Sequence, residues 1–161
     1  MKRTVLLFGV AMLLVSMCVD ASAQTTLKMG GNMGLSVVSA GGGSAAGFQI
    51  GPAFEVVFDR NFAIGTEFNI NTQTGTPLEW ADYFKYYFTI KGSQVRPYAD
   101  FGFNLWFYTG GPYFGLRFGG GADIPVARNL SVTPDVVLGP VFASGTTPFY
   151  FALRGGVKYS F

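Results

Sequence analysis

The side chains best able to do chemistry here are ionic: Lys28, Lys85, Arg117, Arg154 and Lys158 against Glu55, Glu67, Asp100, Asp123 and Asp135. Each occupies every second position of a segment whose alternate residues are apolar, so in extended chain all ten share one face. Two chemistries are open to such a set. Five charges of each sign can neutralise one another in a sealed polar interior, where isolated ions would be costly. Alternatively, a switchable pair, Glu55 or Glu67 with Lys85 or Arg117, can gate an ion path. The first reading fits better if the interior is narrow and already crowded by Tyr83, Tyr87, Tyr98, Trp106, Tyr108, Tyr113 and Tyr150.

Nucleophilic and metal chemistry fit the composition poorly. The chain has no histidine, the usual base that activates a serine near neutral pH. Ser36, Ser39, Ser44 and Ser144 therefore read as loop and rim hydroxyls, and the expectation is of no enzyme activity, no cofactor and no metal. Carboxylates such as Glu55 and Glu67 are explained by salt bridges more simply than as an acid and base, and their spacing matches no calcium loop. Gly41-Gly42-Gly43 lacks the lysine and following helix of a phosphate cradle and reads as a mobile outer loop. Nucleic acid is excluded as a partner because Lys/Arg and Asp/Glu nearly balance, with no basic stripe. The basic residues Arg60, Lys91, Arg96 and Arg128 read as solvated turn charges.

The elements that must carry these residues are strands. Eight segments alternate with a period of two: Leu27 to Val37, Phe48 to Phe58, Phe62 to Ile70, Trp80 to Ile90, Pro97 to Phe107, Phe114 to Ile124, Leu130 to Leu138 and Tyr150 to Phe161. Most have the roughly 9–11 residues of a tilted membrane strand. Eight strands close a small barrel whose bore side chains can fill. Asp59 to Asn61, Lys91 to Val95 and Val126 to Asn129 form short charged turns on one side. Ser39 to Ala45, Thr72 to Leu78, Thr109 to Pro112 and Gly139 to Pro148, rich in small residues, form loops on the other. Gly119-Gly120-Gly121 and Gly155-Gly156 fall inside strands, where they relieve crowding. Asp82 falls on the apolar parity and is expected at the outer rim, where a charge is tolerated. Pro52 and Pro134 lack a ladder donor and are expected at a bulge or a strand end.

The chain's start reads as an export signal. Lys2 and Arg3 precede an apolar run from Thr4 to Val15, and Ala21-Ser22-Ala23 supplies a small-x-small cleavage site. The run is short for a spanning helix, and Met17 before Cys18 suits a lipoprotein site poorly. Residues 1–23 are thus expected to be a signal peptide and 24–161 one domain, with no cysteine left for a disulfide. Charged residues are only 12% of the chain and aromatics 17%, whereas about a quarter of an average domain is charged. Apolar character spread over alternate strand positions, rather than gathered in a helix, suits a transmembrane barrel.

The stretches Arg96-Pro97-Tyr98-Ala99-Asp100-Phe101-Gly102 and Gly119-Gly120-Gly121-Ala122-Asp123-Ile124-Pro125, followed by Asn129-Leu130-Ser131-Val132, resemble strands of the OmpA-like and OmpX-like outer-membrane barrel superfamily. Phe161, with Tyr159 two places before it, resembles that class's C-terminal insertion signature. The resemblance implies an all-β, eight-stranded antiparallel up-and-down barrel in the bacterial outer membrane. Its implied partners are outer-membrane lipids and lipopolysaccharide, with barrel-insertion machinery and periplasmic chaperones during biogenesis, and a monomeric state. The peptidoglycan-binding domain of OmpA itself is not expected, because the chain stops at Phe161. The expected role is structural or surface-exposed, with a lumen plugged by ion pairs. The alternative is a small porin, or passage of apolar molecules through a lateral opening like that of OmpW-like barrels, with Pro134 or Pro140 breaking the wall. A soluble lipocalin-like barrel would reverse the two faces.

Overall fold

The structure, a computed structural model, describes residues 25–161 except 74, 76, 109 and 144. The proposed signal peptide and Ser144 lie outside the described residues. Eight strands follow in order: β1 Thr26–Ala40, β2 Gly43–Phe58, β3 Phe62–Asn71, β4 Leu78–Tyr87, β5 Arg96–Tyr108, β6 Gly111–Ala127, β7 Leu130–Phe142 and β8 Phe149–Ser160. Each pairs antiparallel with the next, and β1 pairs with β8 from Lys28↔Ser160 to Ser39↔Phe149, closing the barrel.

Orientation of the two parities follows the solvent each must meet. Ile64, Phe68, Phe84, Phe101, Phe118, Leu153 and Val157 are exposed on the outer wall, whereas Glu55, Glu67 and Arg117 are buried inside. This arrangement excludes the lipocalin-like alternative. Aromatic rings crowd the outer wall near the β2–β3 turn, with Phe62 against Phe84 at 5.6 Å and Tyr86 at 5.1 Å, Tyr86 against Phe88 at 5.1 Å. Such girdles suit a membrane interface.

Several local features differ from expectation. Gly41 and Gly42, with φ of 57° and 90°, form a two-residue turn, and the β1–β2 ladder runs up to Ala40↔Gly43. Two positive φ values give a hairpin turn whose twist matches the strands, so this is a tight tip and not an open loop. β1, β2, β6 and β7 likewise extend beyond their predicted ends, and β4 stops at Tyr87, short of Ile90. Pro52 and Pro134 sit in mid-strand without a bulge. Ile50↔Ile70 and Ala53↔Glu67 keep one register around Pro52, as do Gly121↔Asp135 and Ile124↔Val132 around Pro134. Each proline lacks a donor toward one neighbour only, and the other ladder, Gly31↔Pro52 or Pro134↔Gly155, continues through it. Among the described residues the one register shift lies between Pro125 and Ala127. Neither proline shifts the register.

Inward glycines make room for inward rings and carboxylates. A Cβ at Gly65 would collide with the Tyr83 ring, and one at Gly119 would lie 2.5 Å from Asp100 Oδ1. Tyr83 cannot retreat easily, because its ring lies under Lys85 Nζ at 5.1 Å and the Arg117 guanidinium at 4.6 Å. Gly65→Ala is expected to destabilise the barrel by about 1–3 kcal/mol, the usual penalty for overpacking, measured as a lower urea midpoint in micelles. An unchanged midpoint would show that Tyr83 swings free.

Candidate functional site

The inner, turn-side half of the bore is an ionic network, and all ten predicted charges belong to it. Glu55 on β2 is held by Lys85 Nζ of β4 at 2.7 Å and Lys158 Nζ of β8 at 2.9 Å. Tyr87 also donates to Glu55, and Tyr83 does so at 3.4 Å. Glu67 on β3 receives Arg117 of β6 and Arg154 of β8, each at 2.7 Å. Arg117 continues to Asp100 at 3.2 Å, and Arg154 reaches Asp135 at 2.7 Å. Lys28 pairs with Asp123 on the opposite side of the bore. Lys85 Nζ further sits 3.9 Å from the centroid of the Tyr98 ring. The suggested switchable pairs Glu55 with Lys85 and Glu67 with Arg117 are thus real contacts, each reinforced by a second cation.

The outer half of the bore is chemically different. Asn32, Ser36, Gln49, Asn69, Asn71, Gln73 and Asn104 are all buried there. Gln73 Nε2 donates to Ser36 Oγ at 3.1 Å, and Ser36 donates to Asn71 Oδ1 at 3.1 Å. Ser36 is therefore a lumen hydroxyl and not a rim residue, since inward parity takes it below the strand end. Ser39 and Ser44 are exposed at the hairpin tip. Tyr150 donates to Gln49, and its ring meets that of Trp106 at 4.8 Å. Tyr108 is exposed and Tyr113 half-buried at the outer mouth, so they line the mouth rather than fill the bore.

Glu79 belongs to this amide layer and was missed by sequence reasoning, which began the fourth strand at Trp80. It shares the odd parity of Tyr83 and Lys85, and that was the available signal. Only 2% exposed, it accepts hydrogen bonds from Asn69 at 3.2 Å and Asn104 at 3.0 Å. Among the described residues no Lys or Arg lies within salt-bridge distance of it. Glu79 is therefore a sixth inward carboxylate, and Arg96, the sixth inward cation, stacks on Tyr87 toward the other end of the bore.

Asp82 is the second correction. It pairs with Thr66 and Phe103 in mid-strand, on the outer wall between Trp80 and Phe84, and not at the rim. It is nonetheless 8% exposed, with Trp80 Nε1 lying 3.1 Å from its Oδ1 and 3.0 Å from Thr66 Oγ1. The indole N–H partly solvates the carboxylate on this apolar wall. Trp80→Phe is expected to cost about 1–3 kcal/mol through the unsatisfied acceptor, and much less in an Asp82→Leu background. Equal costs in both backgrounds, by urea titration, would refute the role of that hydrogen bond.

Two cavities flank the network. One of about 450 Å³ opens at the outer mouth, lined by Val38, Gln73, Trp106, Tyr108, Tyr113 and Val141. The other, about 610 Å³, opens at the turn side beside Lys28, Arg60, Arg96, Asp123 and Arg128. There Arg96 donates to the Arg60 carbonyl and packs 4.3 Å from the centre of the Tyr87 ring, so one of the predicted turn charges is engaged with protein. Tyr159 and Phe161, the expected insertion signature, face outward at the end of the barrel wall with ring centroids 4.9 Å apart.

No protein-family model matches the sequence, and no curated protein matches it significantly. Solved structures do match. Neisserial surface protein A superposes with a TM-score of 0.72 at 16% identity, covering 84% of this chain and 97% of that one. The N-terminal β-barrel domain of Pseudomonas aeruginosa OprF gives 0.61 at 13% identity, covering 87% and 100%. The outer membrane protein OprG of Pseudomonas aeruginosa gives 0.51 at 11% identity, covering 86% and 97%. With its apolar belt facing outward and its charges paired within the bore, this chain has the fold of the small outer-membrane β-barrels.

Proposed function

We propose that the protein is an integral barrel of the bacterial outer membrane, non-enzymatic, with a plugged lumen and a structural or surface-facing role. One observation carries this reading: ion pairs join strands three apart around the closed wall, β1 to β6, β3 to β6 and β3 to β8, so they cross the bore rather than line it. Glu55 and Glu67 each hold two cations, and opening a path requires breaking several buried contacts at once. The same engagement argues against catalysis, because these carboxylates have no free face for a substrate. The working surfaces are then the wall, in contact with lipids and lipopolysaccharide, and the outer hairpin tips. Tyr159 and Phe161 would address the barrel-insertion machinery, with periplasmic chaperones escorting the chain.

The two mouth cavities favour a second reading, a small porin whose plug rearranges. Purified protein in planar bilayers decides between them. The plugged barrel is expected to give no steady conductance, and wild-type channels would establish the porin. Incubation with labelled lipopolysaccharide is expected to return it unchanged, and a deacylated product would overturn the non-enzymatic assignment.

A further inference from the structure

We propose that Glu79, with the side-chain amides of Asn69 and Asn104, binds a monovalent alkali cation in the outer half of the lumen. A buried carboxylate without a counter-charge is among the costliest groups a protein can hold. Glu79 has only amide N–H partners, and the cations nearest the bore centre are committed: Arg117 to Glu67 and Asp100, Arg154 to Glu67 and Asp135. Arg96, the remaining cation of inward parity, stands at the other mouth, opposite Asp123 in the ladder. One positive charge is missing from the outer half, and a monovalent ion supplies one.

Unpartnered oxygens point to the same ligand. Asn69 Oδ1 and Asn104 Oδ1 are buried without a hydrogen-bond partner. Both belong to residues already touching Glu79, and both are turned toward glycine backbone: a Cβ at Gly51 would lie 2.7 Å from Asn69 Oδ1, and Asn104 Oδ1 occupies the corresponding space at Gly115. Each glycine leaves room for the amide to turn over. A half-turn about the terminal torsion exchanges amide oxygen and nitrogen. It brings two neutral oxygens beside the two of Glu79, while the nitrogens face the backbone near the carbonyls of Phe68 and Pro140. That oxygen-only set of a single carboxylate and neutral carbonyls suits sodium or potassium better than a divalent ion, which needs more anionic ligands. Glu79 and Asn69 line a cavity with Asn32 and Gly51, and Trp106, the ladder partner of Glu79, lines the outer-mouth cavity.

The test is urea unfolding of the full barrel in zwitterionic micelles, with sodium, potassium, lithium or choline chloride at equal ionic strength. An alkali cation is expected to raise the midpoint above that in choline, saturably with concentration as mass action requires. Glu79→Gln should lose this cation-specific rise while remaining at least as stable as the wild type in choline. Identical salt responses in the two proteins would overturn the proposal. So would a protonated-carboxyl infrared band, present in sodium and absent from Glu79→Gln, because a proton would then fill the cation's place. Should Glu79→Gln fail to fold, sodium NMR line broadening by wild type decides. Relief by potassium but not choline supports the site, and no broadening refutes it.

Discussion

Replacing Arg117 with methionine is expected to lower the unfolding free energy by about 3–5 kcal/mol, the loss that follows removal of one partner from a buried ionic network. Arg117 is 1% exposed and is the ion partner of Asp100. Its removal leaves Asp100 stranded, while Glu67 keeps Arg154 at 2.7 Å. The stranded carboxylate therefore carries most of the loss, and the partner change should restore part of it. The double variant Arg117→Met with Asp100→Asn is expected to be markedly more stable than the sum of the single effects predicts. Urea titration of all four proteins completes the cycle. Strict additivity would show that Asp100 is solvated by something other than Arg117.

A charge on the outer wall should be nearly as damaging for a different reason. Phe101 is 55% exposed and packs against Phe118 at 5.3 Å, with neighbours Phe84 and Phe118 in the two ladders. Arginine near the bilayer midplane of a barrel costs about 2–4 kcal/mol, falling to about 0–1 near the interface. Phe101→Arg should therefore be destabilised by the larger amount in phosphocholine vesicles, and Ser39→Arg at the hairpin tip by the smaller. Equal, small effects at both positions would mean that Phe101 does not face the hydrocarbon.

The strand set and the facing of each side chain were legible because a period of two is written residue by residue in Phe48 to Phe58 or Phe149 to Phe161, and burial on one face fixes it. The ionic layer was legible for the same reason, since charge at an apolar-flanked alternate position has nowhere else to go. Strand ends were not. Glu79 lies one residue before the first aromatic of its segment, and a turn-rich stretch precedes it, so periodicity begins too late to claim it. Asp82 was misplaced because parity gives facing but not depth. Depth depends on the offset between neighbouring strands, visible only once Asp82 is opposite Thr66 and Phe103. Pro52 and Pro134 were expected to disturb the register because a proline removes a donor. Which neighbour loses that donor is a property of the ladder and not of the chain.

The ion pairs link residues very distant along the chain: Lys28 with Asp123 is 95 positions apart, Lys158 with Glu55 is 103. Contacts of such long range form late and slowly. Until the first and last strands meet, Lys28, Arg154 and Lys158 lie away from Asp123, Glu67 and Glu55, so a half-threaded intermediate lacks these pairs and is penalised. Pairing across the bore is thus expected to gate assembly as much as to hold the finished molecule.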